Sequence, residues 1–371
     1  MLYIMETLNI VLNPITQATE PVRNKFVDAL VDALMKPFIV LLKVGHVWNY
    51  HQDIEKVRSD RSKVIWEEAN KRKIPMEGIS VFGKPIEQYR ALINGKWHHF
   101  QSLPIPSHFN FSSYAWMDDK GKLRYFLQQR SLPVAYGGFA GTVNEALSIF
   151  NNGTPPFSVK PRLGSRGRHT TTYIYTQEQL IKAFAIAQQI CPYVIVEEHL
   201  IGSVYRGTYI NGEVVGILRG DPPRVTGDGK STIRQLIAQK NKKKHPKVKD
   251  VRITLQVTQF LKRQGLTLNT IVPKGNIIDL SEKIGISYGG FAAEDTAITH
   301  SKIFDYIKKA GDALGSPVIG FDFIIADITK DPDRQRWGII EANSLPFIDL
   351  HHFPLEGKPI NVAAKVWDLW S

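Results

Sequence analysis

Residues 159–168 read VKPRLGSRGR, a strand that runs directly into a turn rich in glycine and arginine. Lys160 stands within the strand, and Gly164 and Gly167 form the turn. Glycines let backbone N–H groups approach an anion closely, and the surrounding basic side chains neutralise phosphate charge. The stretch is neither a Walker A loop nor a Rossmann GxGxxG motif. It predicts a phosphate-binding turn, with an ordinary surface turn as the alternative.

Two apolar strands near the end of the sequence carry acidic and amide side chains. They read FDFII at 321–325 and IIEAN at 339–343. A carboxylate at Asp322, between aromatic neighbours, costs several kcal/mol unless it is paired or metal-bound. Glu341 and Asn343 alternate onto one side of their strand. Hard oxygen ligands of this kind suit Mg²⁺ shared with phosphates. The alternative is a buried salt-bridge network.

Two further segments place charges at strand ends. Residues 194–206 read VIVEEHLIGSVYR, in which Glu197 and Glu198 end an apolar strand and suit an adenosine site. Arg219 ends the strand predicted at 213–219 and is a candidate to stabilise a transferring phosphoryl group. The alternatives are a charged strand end that meets solvent and an arginine in a surface ion pair.

Composition limits the classes of protein to consider. The 371 residues suggest two or three structural units. The single cysteine, Cys191, excludes an intramolecular disulfide framework and is expected to fill core space. The net charge of +12 favours anionic partners, and residues 240–249 carry six lysines, read as a solvated loop or a mobile flap. No secretory signal or membrane-length apolar run is visible, which predicts a cytoplasmic protein.

Strand and helix signals alternate along the chain. Residues 1–115 predict an N-terminal α/β domain with a largely parallel sheet, which would supply part of the substrate pocket or a dimer contact. Its strands are expected at 8–15 and 38–45, and its helices at 22–34 and 62–72. A second unit follows at 116–371. Its strands are predicted at 172–175, 193–198, 204–210, 213–219, 318–326 and 337–341, and its helices at 177–190, 231–241, 251–263, 300–314 and 359–370.

Taken in order, these segments resemble an ATP-grasp domain, and in particular the ATP-grasp modules of cyanophycin synthetase and of bifunctional glutamate–cysteine ligase/glutathione synthetase. The resemblance runs from about Asp119 to the last residue. Its most specific parts are VKPRLGSRGR, EEHLIGSVYR, RGDPPRVTGDGKSTIRQLI, SYGGFAAEDT and IIEANSLPFIDLHHFPLEGKPINV. It implies an α/β (α+β) chain with an ATP-grasp fold at 116–371, a lid subdomain at about 155–215, and an N-terminal α/β domain before it.

The resemblance also assigns roles to matching positions. Residues expected to bind ATP are Lys120, Lys160, Gly164, Ser165, Arg166, Gly167, Glu197 and Glu198. Residues expected to bind Mg²⁺, with Mn²⁺ as a substitute, are Asp322, Glu341 and Asn343. Arg219 matches the basic residue near the acyl phosphate, and Arg206 matches the arginine of the family's Tyr-Arg pair. His351 and His352 follow the metal strand, and structural roles are expected for them.

The implied activity is ATP-dependent formation of an amide bond between a carboxylate and an amine through an acyl phosphate, with release of ADP and phosphate. The expected substrates are small molecules, namely amino acids or peptides, with a homodimer expected on family grounds only. The SYGGF segment departs from the family's usual Asn-Ser-containing version, and one ligation step is expected instead of polymer synthesis. The alternatives are an ATP-grasp kinase of a small molecule and a basic nucleic-acid-binding protein without turnover.

Overall fold

The computed structural model describes residues 48–162 and 169–371. The strands predicted at 8–15 and 38–45, the helix predicted at 22–34 and the glycine-rich loop residues 164–167 lie outside these ranges. Helices and strands predicted elsewhere from residue 172 onward are found, with ends shifted by a few residues.

The N-terminal sheet is a four-stranded antiparallel meander. Its strands are β1 (Trp48–His51), β2 (Met76–Val81), β3 (Lys84–Ile93) and β4 (Lys96–Gln101), in that order, with helix α1 (Asp60–Lys71) between β1 and β2. The prediction of a largely parallel sheet is wrong for these residues. Phe82-Gly83 and Asn94-Gly95 form two-residue connections in which every residue has a positive φ. Such turns join adjacent strands of a hairpin, so the strands must run antiparallel.

A central five-stranded antiparallel sheet has the order β13-β10-β9-β14-β15. Its strands are β9 (Ser203–Ile210), β10 (Glu213–Asp221), β13 (Phe291–Glu294), β14 (Val318–Ile325) and β15 (Gly338–Asn343). Side chains of one face, including Tyr209, Phe321 and Phe323, pack with helix α8 (Ser301–Leu314). The opposite face packs through Ile210 and Val318 with α1 and with helix α10 (Val362–Trp367). The N-terminal sheet and the central sheet therefore share a core.

A second four-stranded antiparallel sheet has the order β5-β8-β6-β7. It comprises β5 (Gly137–Ala140), β6 (Phe157–Pro161), β7 (Thr171–Ile174) and β8 (Val194–Glu198), with helices α4 (Val143–Asn151) and α5 (Gln177–Gln188) packed in its own core. This sheet spans 137–198, whereas residues 203–210 and 213–215 belong to the central sheet. The domain boundaries inferred from sequence stay a prediction.

A smaller unit lies between β10 and β13. Strands β11 (Arg224–Thr226) and β12 (Ile277–Asp279) pair antiparallel, and helices α6 (Ile233–Lys243) and α7 (Leu255–Arg263) build a separate small core with them. Lys240, Lys242 and Lys243 form the last turn of α6, so the lysine-rich segment begins in a helix and not in a loop.

Short elements complete the described chain. They are α2 (Phe111–Tyr114), α3 (Lys120–Gln128), α9 (Asp349–His352) and 3-10 turns at Ile54–Lys56, Ala115–Asp118, Ile286–Tyr288, Thr296–Ile298, Pro332–Arg334 and Asp368–Trp370. Among the described residues, no helix combines the length and the apolar character needed to cross a membrane.

Candidate active site

One face of the central sheet aligns three of the predicted site residues. The strand register places Asp322 opposite Arg206 on β9 and opposite Glu341 on β15. Residues directly opposite each other point to the same side, so the three side chains meet on one face. Arg206 donates from Nε and Nη2 to the two carboxylate oxygens of Asp322, each at 2.8 Å. Burial opposes the charge of Arg206, but Asp322 and then Glu341 raise its pKa above the usual value.

The neighbours of Asp322 explain why an acidic residue stands in an apolar strand. Phe321 and Phe323 alternate onto the opposite face, where both are fully buried in the core against α8. Asp322 itself is buried, with 8% of its surface exposed. The pattern FDFII therefore anchors the sheet with its aromatic side chains and presents one carboxylate to the other side.

Helix α3 connects the central sheet with the second sheet. Lys120, the first residue of the helix, forms an ion pair with Glu341 of β15, in which Nζ lies 3.0 Å from Oε1. Arg124 lies one turn later on the same side of the helix and donates from Nη1 to Oε2 of Glu197 on β8 at 3.1 Å. The other oxygen of Glu197 lies 2.7 Å from Nζ of Lys160 on β6. Two predicted phosphate-binding lysines, a predicted adenosine carboxylate and a predicted metal ligand are thus linked through one helix.

The two adjacent glutamates of β8 have different surroundings. Glu197 is buried; burial raises its pKa, but Lys160 and Arg124 outweigh burial and leave the pKa lowered. Glu198 accepts from the backbone N–H of Thr154 at 2.7 Å and forms an ion pair with Arg336. Because successive side chains of a strand point to opposite sides, the two carboxylates have separate partners, and their role at adenosine stays a prediction.

Arg219 is not brought together with Arg206 and Asp322. In the register of β9 and β10, Arg219 stands opposite Tyr205, so its side chain lies on the other face of the sheet. Its Nε lies 3.2 Å from Asp295 and 3.7 Å from Asp221. Burial raises the pKa of Asp295, although Arg219 opposes that shift. The role of Arg219 beside an acyl phosphate stays a prediction.

The segment that leads into the glycine-rich turn is fixed to α3. Arg162 donates from Nε and Nη2 to the carboxylate of Asp119 over 2.6–3.0 Å. Asp119 also caps α3 by accepting from the backbone N–H groups of Gly121 and Lys122. The sequence predicts Arg162 as a basic neighbour of the phosphate-binding turn, whereas Arg124 and Arg336, which pair with Glu197 and Glu198, were missed. The spacing of four between Lys120 and Arg124 on a helix is the one local signal that could have indicated Arg124.

The oxygen donors on the central sheet fit a divalent cation that is completed by phosphate. No group of three or more His, Cys, Asp and Glu suited to a metal occurs within 48–162 and 169–371. Mg²⁺ is commonly held by one or two carboxylates together with substrate phosphates. The bidentate contact with Arg206 leaves lone pairs on Asp322. Asn343 lies opposite Gly320 and donates to its carbonyl at 3.5 Å through the amide nitrogen, which does not use the amide oxygen.

His351 lies in a closed cluster beside this site. Its Nδ1 lies 2.6 Å from Glu294, and its Nε2 lies 2.8 Å from the hydroxyl of Thr208. His351 is fully buried. His352 accepts from the backbone N–H of Ala363 at 3.2 Å, and burial lowers its pKa to about 4. These contacts agree with the structural roles expected for both histidines.

The chain is similar to large biosynthetic enzymes. Cyanophycin synthetase of Synechocystis is 28% identical over 320 residues, which cover 83% of this chain and 36% of that protein. Cyanophycin synthetase of Trichormus variabilis is 32% identical over 68% of this chain and 29% of that protein. The glutathione biosynthesis bifunctional protein of Clostridium perfringens is 30% identical over 76% of this chain and 38% of that protein. The chain therefore spans about a third of the length of these relatives.

The fold is shared with a solved structure. The crystal structure of a bifunctional glutathione synthetase from Pasteurella multocida superposes with a TM-score of 0.56 and 23% identity, covering 84% of this chain and 43% of that one. No family model matches the chain. The mixed helix and sheet architecture confirms the predicted α+β fold class. The chain is an ATP-grasp protein that resembles cyanophycin synthetase and bifunctional glutathione synthetase.

Proposed function

We propose that the protein is an ATP-dependent carboxylate–amine ligase that forms one amide bond through an acyl phosphate and releases ADP and phosphate. The observation that carries the proposal is the network centred on α3. It joins Lys120 to Glu341 and, through Arg124, Glu197 to Lys160. Without a ligand, each basic group is paired with a carboxylate. On binding of ATP, a divalent cation would replace Lys120 beside Glu341, and Arg124 would still compensate the buried Glu197 when Lys160 turns to a phosphate.

The residues divide the work between the two sheets. Lys120 and Lys160 would bind ATP phosphates, together with the loop residues Gly164, Ser165, Arg166 and Gly167. Glu197 and Glu198 would contact the adenosine, for which their different surroundings favour different contacts. Asp322, Glu341 and Asn343 would hold Mg²⁺ or Mn²⁺, which supplies charge neutralisation at the transferring phosphoryl group.

The reaction needs no nucleophile from the protein. A carboxylate oxygen of the substrate attacks the γ-phosphorus, and the bond to the ADP oxygen breaks. The amine nitrogen then attacks the acyl carbon, the bond from that carbon to the phosphate oxygen breaks, and the nitrogen gives up a proton. Arg206, fixed by Asp322, would stabilise negative charge on the acyl phosphate, and Arg219 would require a change of side-chain position to assist.

Other parts of the proposal rest on the resemblance and on composition. The substrates would be amino acids or peptides, as the names of the relatives suggest. The N-terminal region would contribute to the substrate pocket, the second sheet would act as the lid, and the protein would act in the cytoplasm as a homodimer without membrane or nucleic-acid partners.

The test combines product analysis with two variants. The full chain is incubated with ATP, Mg²⁺ and pooled amino acids and short peptides, and ADP, phosphate and new masses are followed together. We expect a product with the mass of two substrates minus water, and ADP and phosphate in equal amounts. Lys160→Ala and Glu341→Ala should each abolish this product, because the first removes a positive charge beside the phosphates and the second removes a proposed ligand of the cation that neutralises the transferring charge.

The exposed pair of Lys365 and Glu213 supplies a control, since Lys365→Ala lies outside the network and should leave product formation unchanged. ADP formation with a stable phosphorylated product and no amide would instead identify a small-molecule kinase. Salt-sensitive binding of RNA without ATP turnover would replace the ligase with a nucleic-acid-binding protein.

A further inference from the structure

A cavity of about 290 Å³ lies where the N-terminal sheet meets the loop after β15. Its walls include Arg58, Arg61, Glu87, Gln101 and Phe347. Ligand pockets commonly enclose about 300–1,000 Å³, so this one suits a ligand the size of an amino acid and is too small for a nucleotide. Its walls combine two guanidinium groups with one carboxylate, so the cavity can contact both signs of charge.

Only one of the two carboxylate oxygens of Glu87 is hydrogen-bonded by the described residues. Its Oε2 accepts from the hydroxyls of Ser62, Ser59 and Ser102 at 2.7, 3.0 and 3.2 Å. Its Oε1 is buried and has no hydrogen-bond partner among the described residues. A buried acceptor without a partner costs free energy, and a donor from a ligand would remove that cost. The three hydroxyls fix the carboxylate and leave the second oxygen to bind such a donor.

Arg61 shows the complementary arrangement. Its Nη1 donates to the carbonyl of Leu345 at 2.5 Å and its Nη2 to Ser102 at 2.8 Å, and the guanidinium lies 4.9 Å from the centre of the Phe347 ring. Its Nε is buried without an acceptor in the described ranges. Arg58, two residues before α1, is exposed. The cavity therefore offers donors from two arginines and an acceptor from Glu87, and Ser102 links Arg61 to Glu87.

The cavity adjoins the candidate active site. Leu345, which Arg61 holds, follows Asn343 by two residues. Phe347, which lines the cavity, lies in the same loop. A ligand in the cavity would thus lie next to the loop that follows Asn343, a proposed metal ligand.

We propose that this cavity binds a free α-amino acid as a zwitterion, with Arg58 and Arg61 facing its carboxylate and Glu87 accepting from its ammonium group. The proposal rests on the proposed ligase function only in its second part, which is that this amino acid is the amine substrate. The first part concerns binding alone and holds without ATP.

The test begins with binding by the full chain in the absence of ATP. An equimolar mixture of the twenty amino acids is screened by saturation-transfer NMR, and the strongest binder is titrated together with its N-acetyl derivative and its methyl ester. Glu87→Gln and Arg58→Gln should each weaken binding by about tenfold or more, because each removes one charge-assisted contact. Lys84→Gln, an exposed change on the same strand as Glu87, is the matched control and should bind as the unchanged protein does. Both derivatives should bind as weakly as the variants.

Absence of any amino-acid binding, or binding that neither variant weakens, would overturn the proposal. Arg58→Gln decides the outcome if Glu87→Gln fails to fold, because Arg58 is exposed. With ATP and Mg²⁺, the variants should raise KM for the amino acid about tenfold and change kcat little. Ligation with an unchanged KM would overturn the cavity proposal and leave the ligase intact. Binding that depends on both residues, without ligation of any carboxylate, would overturn the proposed function and leave the cavity proposal intact.

Discussion

Two polar clusters lie on the same face of the central sheet and differ in their access to solvent. Thr208, which is hydrogen-bonded to His351, lies two residues from Arg206 on β9, so the side chains of Thr208 and Arg206 point to the same side of the sheet. The side chains of His351 and Glu294 are 0% and 2% exposed. Those of Arg206, Asp322 and Glu341 are 17%, 11% and 29% exposed. Backbone packing also excludes solvent from the cluster of His351 and Glu294. Gly216 lies so close that a Cβ there would be 2.8 Å from Nδ1 of His351.

The comparison shows that a buried, charged strand position does not by itself identify a functional site. Both clusters satisfy their carboxylates with nitrogen donors at short distance. Only the Arg206 cluster can exchange a partner for a ligand, because its side chains reach solvent. The closed cluster fixes β9, β13 and α9 to one another. Solvent access, and not residue type, distinguishes the candidate site from the buried cluster.

Arg206→Ala should have the largest effect. It leaves Asp322 buried without its bidentate partner, which costs about 3–5 kcal/mol of unfolding free energy. It also removes the group proposed to stabilise the acyl phosphate, so ADP release should fall about 10²–10³-fold. Urea unfolding and ADP release, both at a temperature where the variant is folded, measure the two effects.

Arg206→Lys is the matched control for the charge. A lysine keeps the charge but lacks the planar fork, so intermediate values are expected for stability and activity. Full activity of folded Arg206→Ala would contradict the assignment of this cluster to the active site.

The strands of the site could be predicted because their sequences are locally consistent. Apolar alternation predicted the strands that carry Arg206, Asp322 and Glu341, and the residue types predicted charge at the same positions. The direction of the N-terminal strands was also readable, because Asn94-Gly95 is a strong hairpin signal. The hairpin signal outweighs the alternation of strand and helix signals, on which the parallel sheet was predicted.

The partners of those charges could not be predicted. Lys120 and Glu341 are 221 residues apart in sequence, and only the packing of α3 brings them together. The face occupied by Arg219 depends on the register between β9 and β10. A shift of one residue would move every side chain of the shifted strand to the opposite face of the sheet. Sequence patterns reveal neither helix packing between sheets nor register.

His351→Ala should have a smaller effect, and on stability alone. It leaves Glu294 buried without its nitrogen partner, and the unfolding free energy should fall by about 3 kcal/mol. ADP release by the folded variant should equal that of the unchanged protein. Adding Glu294→Gln removes the buried charge and should recover part of the stability. A loss of activity at unchanged stability would move His351 into the active site.

His352 gives the smallest expected effect, and it depends on pH. Because burial and then His351 lower its pKa from 6.5 to about 4, the unfolded chain binds a proton below pH 6.5 that the folded chain does not bind. Its contribution to stability is therefore fully present above pH 6.5 and is lost as the pH falls towards 4. Partial exposure of the ring limits the loss to roughly 1 kcal/mol.

Urea unfolding of the unchanged protein and of His352→Gln at about pH 7 and about pH 5 isolates this contribution. Glutamine can still accept from the N–H of Ala363 but does not titrate, so the variant should lose less stability between the two conditions. His199, whose pKa burial also lowers to about 4, is common to both proteins and cancels in the difference. Equal losses in the two proteins would mean that His352 is solvated well enough to titrate normally.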